Sequence, residues 1–363
     1  MSPLISTLPT TPAADDDLSF RRARDRSVEL ETQIAANPSA FRVLTGDRPT
    51  GPLHLGHYFG TLANRVRLQQ AGVELFVVIA DYQVITDRRL AGDVRGNVHE
   101  LLLDYLSTGI DPESATIFTH SAVPPLNQLL LPFLSLVTVA ELQRNPTVKA
   151  EAQTAGITAL SGLLLTYPVH QAADILFCHG NLVPVGRDQL PHLEVSRQIA
   201  RRFNDRYGRI FPEPEALLSE VPLLAGLDGA KMSKSAGNAV YLRDSADETA
   251  RRIRSARTDG ERRIRFDPVN RPEVSNLLVT AGLCQGRAPE EIAAEIGDAG
   301  SGALKAVVAE SINERFRETR RVRAELAAET GYVEQVLTVG NAQALAIAHD
   351  TLARVREAMG MTY

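Results

Sequence analysis

Between about residues 40 and 205 short apolar runs alternate with longer amphipathic ones. Arg42-Val43-Leu44-Thr45-Gly46 reads as a strand ending at a glycine, and the Pro/Gly-rich stretch 47–52 as a turn. Tyr58, Leu62 and Val66 follow at i, i+4 spacing, the mark of a helix with one apolar face. Residues 75–79, Leu-Phe-Val-Val-Ile, are apolar at every position, as suits a strand covered on both sides. Residues 116–119 and 182–185 read as further strands. The alternation predicts an α/β fold with a Rossmann-like, mostly parallel sheet between layers of helices. Ligands of such sheets bind beyond the C-terminal ends of the strands.

Outside this region the pattern changes. Residues 1–17 are rich in Pro, Thr, Ser and Ala, end in three aspartates and read as a disordered tail. Residues 18–35 suit a helix leading into the fold. Beyond about residue 244 the strand signals stop, and Ala-, Glu-, Leu- and Arg-rich stretches predict helices through 245–363. Pro168 is placed at the first position of a helix that carries Asp174 among Ala172, Ala173, Ile175 and Leu176.

The net charge of −5 means that any nucleic-acid contact must come from local patches. Two such patches are Arg251–Arg265 and Arg315–Arg323, although Glu314, Glu318 and Glu325 also allow a solvated face of Glu/Arg pairs. Cys178 and Cys284 are far apart with no CxxC, so no zinc site or other metal site in the chain is expected, and a reducing compartment fits. The apolar run 126–139 is interrupted by Pro132 and too short to span a bilayer, and no secretory signal is visible. Cytoplasmic location is the expectation.

Two stretches carry the candidate chemistry. His54-Leu55-Gly56-His57 follows a strand and a tight turn, at a helix start. There imidazole N–H groups, backbone N–H groups and the positive end of the helix can hold phosphate oxygens. Gly56, lacking a side chain, leaves room for an adenine ring against the backbone. Lys231-Met232-Ser233-Lys234-Ser235 offers two ammonium groups and two hydroxyls on a loop, suited to β- and γ-phosphates. Either stretch alone is equally compatible with an exposed helix start or a solvated basic loop. Together and in this order, they predict one site for ATP attacked at its α-phosphate. No GxxxxGK[ST] or GxGxxG cradle competes with them.

These signatures resemble class I aminoacyl-tRNA synthetases, and the likeness runs from about residue 42 to the C-terminus. Residues 45–60 (TGDRPTGPLHLGHYFG), 141–144 with Lys149, 167–176 (YPVHQAADIL), 183–189 (VPVGRDQ) and 275–278 (SNLL) are similar to the tryptophan/tyrosine branch. The resemblance implies activation of L-tryptophan by ATP with Mg²⁺, transfer to tRNA(Trp), and a homodimer, with neither membrane nor DNA as a partner. It implies an N-terminal extension (1–40), a catalytic domain (41–244) with a connecting insertion at about 120–180, and a helical anticodon-binding domain (245–363). It implies catalytic roles for His54, His57, Lys149, Lys231 and Lys234. Nucleotide contacts fall to Arg48, Pro49, Thr50, Gly56, Gly186, Arg187, Asp188, Met232, Ser233 and Ser235.

Leu44, Tyr167, Gln171, Asp174 and Gln189 would bind the amino acid, with Asp174 on the indole N–H. A carboxylate in so apolar a helix needs a partner, and a site built for one rejects a substrate lacking it. Tyr167/Gln171/Asp174 also matches the pattern of tyrosine enzymes, and the common tryptophan enzyme has Met in place of Gln171. Leu44 favours tryptophan, because tyrosine enzymes carry Tyr two residues before the strand-end glycine. The alternatives are thus a tyrosine–tRNA ligase or a non-catalytic RNA-binding paralogue. His54, His57 and Arg187 depart from the Thr, Asn and Glu of many bacterial tryptophan enzymes.

Overall fold

The computed structural model describes residues 18–86, 92–154, 160–218, 224–234, 236–329 and 331–363. The tail 1–17 and Ser235 lie outside the described residues. Five parallel strands form one sheet: β1 (Arg42–Asp47), β2 (Glu74–Ile79), β3 (Ala115–Thr119), β4 (Leu182–Val185) and β5 (Glu215–Leu218), in the order β3-β2-β1-β4-β5. Side chains alternate between faces. Val43, Leu75, Val77 and Ile79 join one apolar core, and Leu44, Phe76 and Val78 join the other. Both faces are covered by helices, so β2 can be apolar throughout. Strand order reverses between β1 and β4, and a crevice opens there at the strands' C-terminal ends.

Four of the five strands match the pattern read from the sequence. The fifth does not, because Glu-Ala-Leu-Leu is a helix-forming composition. Tertiary contacts override it. β5 pairs with β4, and helix Leu18–Ala36 lies over it, with Arg26 Nη2 donating to Glu215 Oε1 at 2.8 Å. Ser27 Oγ accepts from the Leu218 N–H at 3.0 Å.

Two helices also differ from expectation. The helix after β1 is three pieces, Leu55–His57, a π-helical stretch Tyr58–Leu62, and Ala63–Gln70. Within the wider π turn, Tyr58 and Phe59 both pack edge-on against Phe316 of the C-terminal region, at 4.8 and 6.2 Å between ring centroids. The Asp174 helix begins at Gly162, capped by Ser161, whose Oγ accepts from the Leu164 N–H at 3.0 Å. Pro168 therefore lies inside the helix rather than at its first position. Asp174 stands roughly three turns from the start and cannot serve as a cap.

Among the described residues, 245–363 contains no strand. Its last helix, Tyr332–Ala358, returns to the sheet and covers β3. Asn341 Oδ1 accepts from the Thr119 N–H at 2.9 Å, and Gly340 sits so close that a Cβ there would fall 1.9 Å from the Ile117 carbonyl oxygen. Several arginines of the two basic patches turn inward. Arg315 donates to the Tyr58 hydroxyl at 2.6 Å, Arg320 to Thr249 at 2.8 Å, and Arg323 to the buried Asp104 at 2.9 Å. Arg321 pairs with Glu318 and Glu325 along its own helix, as the solvated-face alternative anticipated.

Candidate active site

Local backbone geometry brings the two signatures together. Gly51 takes φ +125°, which only glycine adopts readily, and turns the chain from β1 into His54. The Leu53 N–H donates to Asp104 Oδ2 at 3.0 Å. The segment after the second signature then runs antiparallel beside the first: the Leu55 N–H donates to Val240 O, and the Leu242 N–H to Leu53 O, each at 3.0 Å. Lys234 completes the junction by donating from Nζ to the Gly51 carbonyl at 2.7 Å. Asn238, 5 % exposed, shapes the loop. It accepts from the Ser233 N–H at 2.9 Å and donates to Lys231 O at 3.1 Å.

The cleft so formed has a volume of about 610 Å³ and is bounded by the ends of β1, β2 and β4. Leu44, Arg48, Thr50, His54, His57, Tyr167, Gln171, Asp174, Gly186, Gln189, Lys231, Met232, Ser233 and Lys234 line it. The remaining described candidates do not. Pro49 is buried in the turn. Lys149 is exposed on helix Pro146–Thr154. Arg187 instead stacks its guanidinium 4.6 Å from the ring centroid of Phe20. Asp188 is exposed beside the cleft and accepts from Gln189 Nε2 at 3.0 Å. Gly56 has a different neighbour from the adenine expected there. A Cβ at this position would meet the His54 imidazole at 3.0 Å and Met232 Sδ at 3.7 Å, so the missing side chain makes room for His54.

The two imidazole rings lie 3.7 Å apart between centroids, tilted by 48°. The His54 N–H donates to His57 Nδ1 at 3.2 Å, so a neutral His57 carries its proton on Nε2. Burial pushes His54 down to about 3, helped by the charges of His57 and Lys234. Burial likewise pushes His57 down to about 4, against the pull of Asp47. Both rings are therefore neutral at pH 7 and can donate N–H without carrying charge.

Beneath them lies a buried group that sequence reasoning missed. Arg65, 1 % exposed, donates to Asp47 Oδ2 at 2.6 Å, and the Tyr105 hydroxyl donates to the same oxygen at 2.7 Å. Burial alone would push the Asp47 carboxyl up, but Arg65 and Tyr105 hold it well below the usual carboxylate range. One signal was available: Arg65 sits three residues from both Leu62 and Leu68, in the middle of the apolar stripe of its helix.

At the opposite end of the cleft Asp174 is 2 % exposed. Gln83 Nε2 donates to its Oδ2 at 3.4 Å, and His120 Nε2 stands 2.9 Å from Oδ1. Gln83 and His120 went unnoticed in the sequence because neither belongs to a local motif, and His170, inside the 167–176 stretch, was assigned no role. Tyr167 contacts a relay. Asn145 accepts from the Thr147 and Val148 N–H groups through Oδ1, which turns its amide nitrogen toward His192 Nδ1 at 3.2 Å. His192 Nε2 thus bears the proton and donates to the Tyr167 hydroxyl at 2.7 Å. A neutral ring is ensured by burial, which pushes His192 down to about 4.

Comparison with known proteins follows the same lines. The family model described as tRNA synthetases class I (W and Y) matches residues 37–317. A tryptophan–tRNA ligase of Treponema pallidum is 43% identical over 330 residues, covering 88% of this chain and 97% of that one. One from Clostridium longisporum is 41% identical over 333 residues, with the same coverage. Among solved structures, a tryptophanyl-tRNA synthetase from Campylobacter jejuni complexed with ADP and tryptophan is 32% identical. It superposes with a TM-score of 0.77, covering 88% of this chain and all of that one.

Proposed function

The chain belongs to the class I tRNA synthetases of the tryptophan/tyrosine branch, and from that premise we propose how its cleft works. Its activity is that of a tryptophan–tRNA ligase. The tryptophan carboxylate attacks the α-phosphorus of ATP, the bond to the bridging oxygen breaks, and pyrophosphate leaves with the electron pair. A terminal ribose hydroxyl of tRNA(Trp) then attacks the tryptophanyl carbonyl, the bond to the adenylate oxygen breaks, and AMP leaves.

The triphosphate lies between the two histidines and the lysine loop. Neutral His54 and His57 donate N–H to phosphate oxygens. These bonds strengthen as negative charge moves toward the leaving group, which stabilises the transition state above the ground state. Lys234 exchanges the Gly51 carbonyl for a phosphate oxygen, and Lys231 joins it. The observation that carries this reading is the 2.7 Å contact between Lys234 and the turn that precedes His54. Two stretches nearly two hundred residues apart thereby face one cleft.

Asp174 Oδ2 receives the indole N–H, Leu44 forms an apolar wall, and Tyr167, Gln171 and Gln189 hold the amino-acid end. Mg²⁺ comes with the nucleotide. Of the two cleft-lining carboxylates, Asp47 is committed to Arg65 and Tyr105, and Asp174 faces the amino acid. No residue of the chain is therefore assigned to the ion, which phosphate oxygens and water would hold. Lys149, Arg187 and Asp188 would reach the nucleotide only after loop closure, and Ser235 is assigned to it from the sequence alone. The helical residues 245–363 meet the anticodon, the protein acts as a homodimer, and it works in the cytoplasm. No described helix is long and apolar enough to cross a membrane.

The test is amino-acid-dependent exchange between ATP and pyrophosphate. Tryptophan should drive it and tyrosine should not. Asp174→Ala should reduce exchange by at least about 100-fold, as expected for loss of a buried polar contact in the transition state, with KM for ATP little changed. Exchange driven by tyrosine alone would overturn the tryptophan assignment, and an unimpaired Asp174→Ala the pocket.

A further inference from the structure

Behind the amino-acid end of the cleft, two buried histidines for which the activation chemistry has no use flank Asp174. His120 follows β3, while His170 and Asp174 lie four residues apart on one face of helix Gly162–Leu176. All three are buried, at 0, 5 and 2 % exposure, and one ligand atom of each lies within 4.8 Å of the others. Among the described residues, neither ring nitrogen of His120 has a hydrogen-bond partner, and neither does Asp174 Oδ1. His120 Nε2 is only 2.9 Å from that oxygen, but off the line of a ring N–H bond. His120 Nε2 and Asp174 Oδ1, two orphaned polar atoms brought face to face in a buried setting, are costly unless something joins them.

Asn127 already orients one of the two imidazoles. Asn127 Nδ2 donates to the carbonyls of His120 and Val123, at 2.8 and 3.2 Å. That fixes Asn127 Oδ1 toward His170, where it accepts from Nε2 at 2.8 Å. In neutral His170 the proton then sits on Nε2, and Nδ1 keeps its lone pair. This carbonyl-to-histidine arrangement is the one that orients metal-bound imidazoles.

We propose that His120, His170 and Asp174 bind a divalent transition metal, with Zn²⁺ as the best fit. Two imidazoles and a carboxylate suit a borderline cation. Tetrahedral coordination at about 2.0–2.1 Å separates ligand atoms by about 3.3 Å, a few tenths more than the His120–Asp174 distance. An ion on Oδ1 leaves Oδ2 for the amino acid and fixes the carboxylate plane. That last consequence rests on the tryptophan reading, whereas the binding site does not.

The experiment is metal binding by the full chain. Purified protein, dialysed against Zn²⁺ and then against metal-free buffer, is analysed for metal content, and Co²⁺ replaces Zn²⁺ as a spectroscopic probe. The expected result is about one ion per chain, with the visible bands of four-coordinate Co²⁺. His120→Gln and His170→Leu should each abolish it while unfolding at a temperature close to the parent's metal-free form. Asn127→Leu, which removes only the outer partner, should weaken Co²⁺ binding by about 10–100-fold. A His54→Asn/His57→Asn variant should keep both the ion and the bands. No retained metal in the parent, or retention in both cluster variants, overturns the site. Stoichiometric metal with exchange that ignores tryptophan would leave the site standing and sink only its link to recognition.

Discussion

Arg65→Met would separate a buried charge from its partner. The Arg65 side chain is 2 % exposed, and its guanidinium holds Asp47 at 2.6 Å and approaches the Gly46 carbonyl at 3.4 Å. Methionine keeps most of the volume and removes the charge. Asp47 would keep only the Tyr105 hydroxyl, at 2.7 Å. Breaking one side of a buried pair costs about 3–5 kcal/mol, because the remaining charge stays desolvated. A chain of 363 residues has an unfolding entropy of about 0.8 kcal/mol/K, so Tm should fall by roughly 4–7 °C. The assay is urea and thermal unfolding of the parent, Arg65→Met, and Asp47→Asn/Arg65→Met. The double variant leaves no stranded charge and should recover at least half of the loss. Arg65→Met within about 1 kcal/mol of the parent would refute the reasoning, and so would a double variant no better than the single.

Three other outcomes follow from the geometry. Lys234→Ala should lower the rate of adenylate formation about 100-fold or more while changing the Kd for ATP only a few-fold, because its phosphate contact strengthens during the reaction; single-turnover kinetics at varied ATP separates the two, and an effect on Kd alone would contradict the role. Stability should fall as pH drops from about 6.5 toward 4, since burial lowers His57 and His192 to about 4 in the folded chain while the unfolded chain takes up protons at its ordinary pKa. Each histidine contributes up to about 1.4 kcal/mol per pH unit across that window, and urea midpoints that stay flat there would refute it. Gly340→Ala should destabilise the fold by about 1–3 kcal/mol, because its Cβ would overlap the Ile117 carbonyl and push helix Tyr332–Ala358 off β3; thermal unfolding unchanged from the parent would mean that the helix can shift without loss.

Legibility from sequence followed the range of the interactions. The two signatures and β1, β2, β3 and β4 were readable because strand, turn and helix start are written in adjacent residues. β5 was not, since its composition favours helix and only β4 and helix Leu18–Ala36 make it a strand. Pro168 misled for a related reason: proline favours the first turn of a helix, yet Ser161 caps this one seven residues earlier. The Asp47–Arg65–Tyr105 group spans three elements, and only Arg65, a cation in an apolar stripe, left a local trace. The His54 ring folds back over Gly56, a contact that spacing alone does not reveal.

The helix that shelters β3 has a consequence for how the molecule is made. Thr119 and Asn341 are 222 positions apart, so a ribosome that has completed the whole sheet has still not produced the cover of its outer strand. At about 5–20 residues per second, that strand waits ten seconds or more with a bare apolar flank. During this interval the nascent chain is open to chaperones and to unwanted strand pairing, and a premature stop before residue 332 would leave it so permanently.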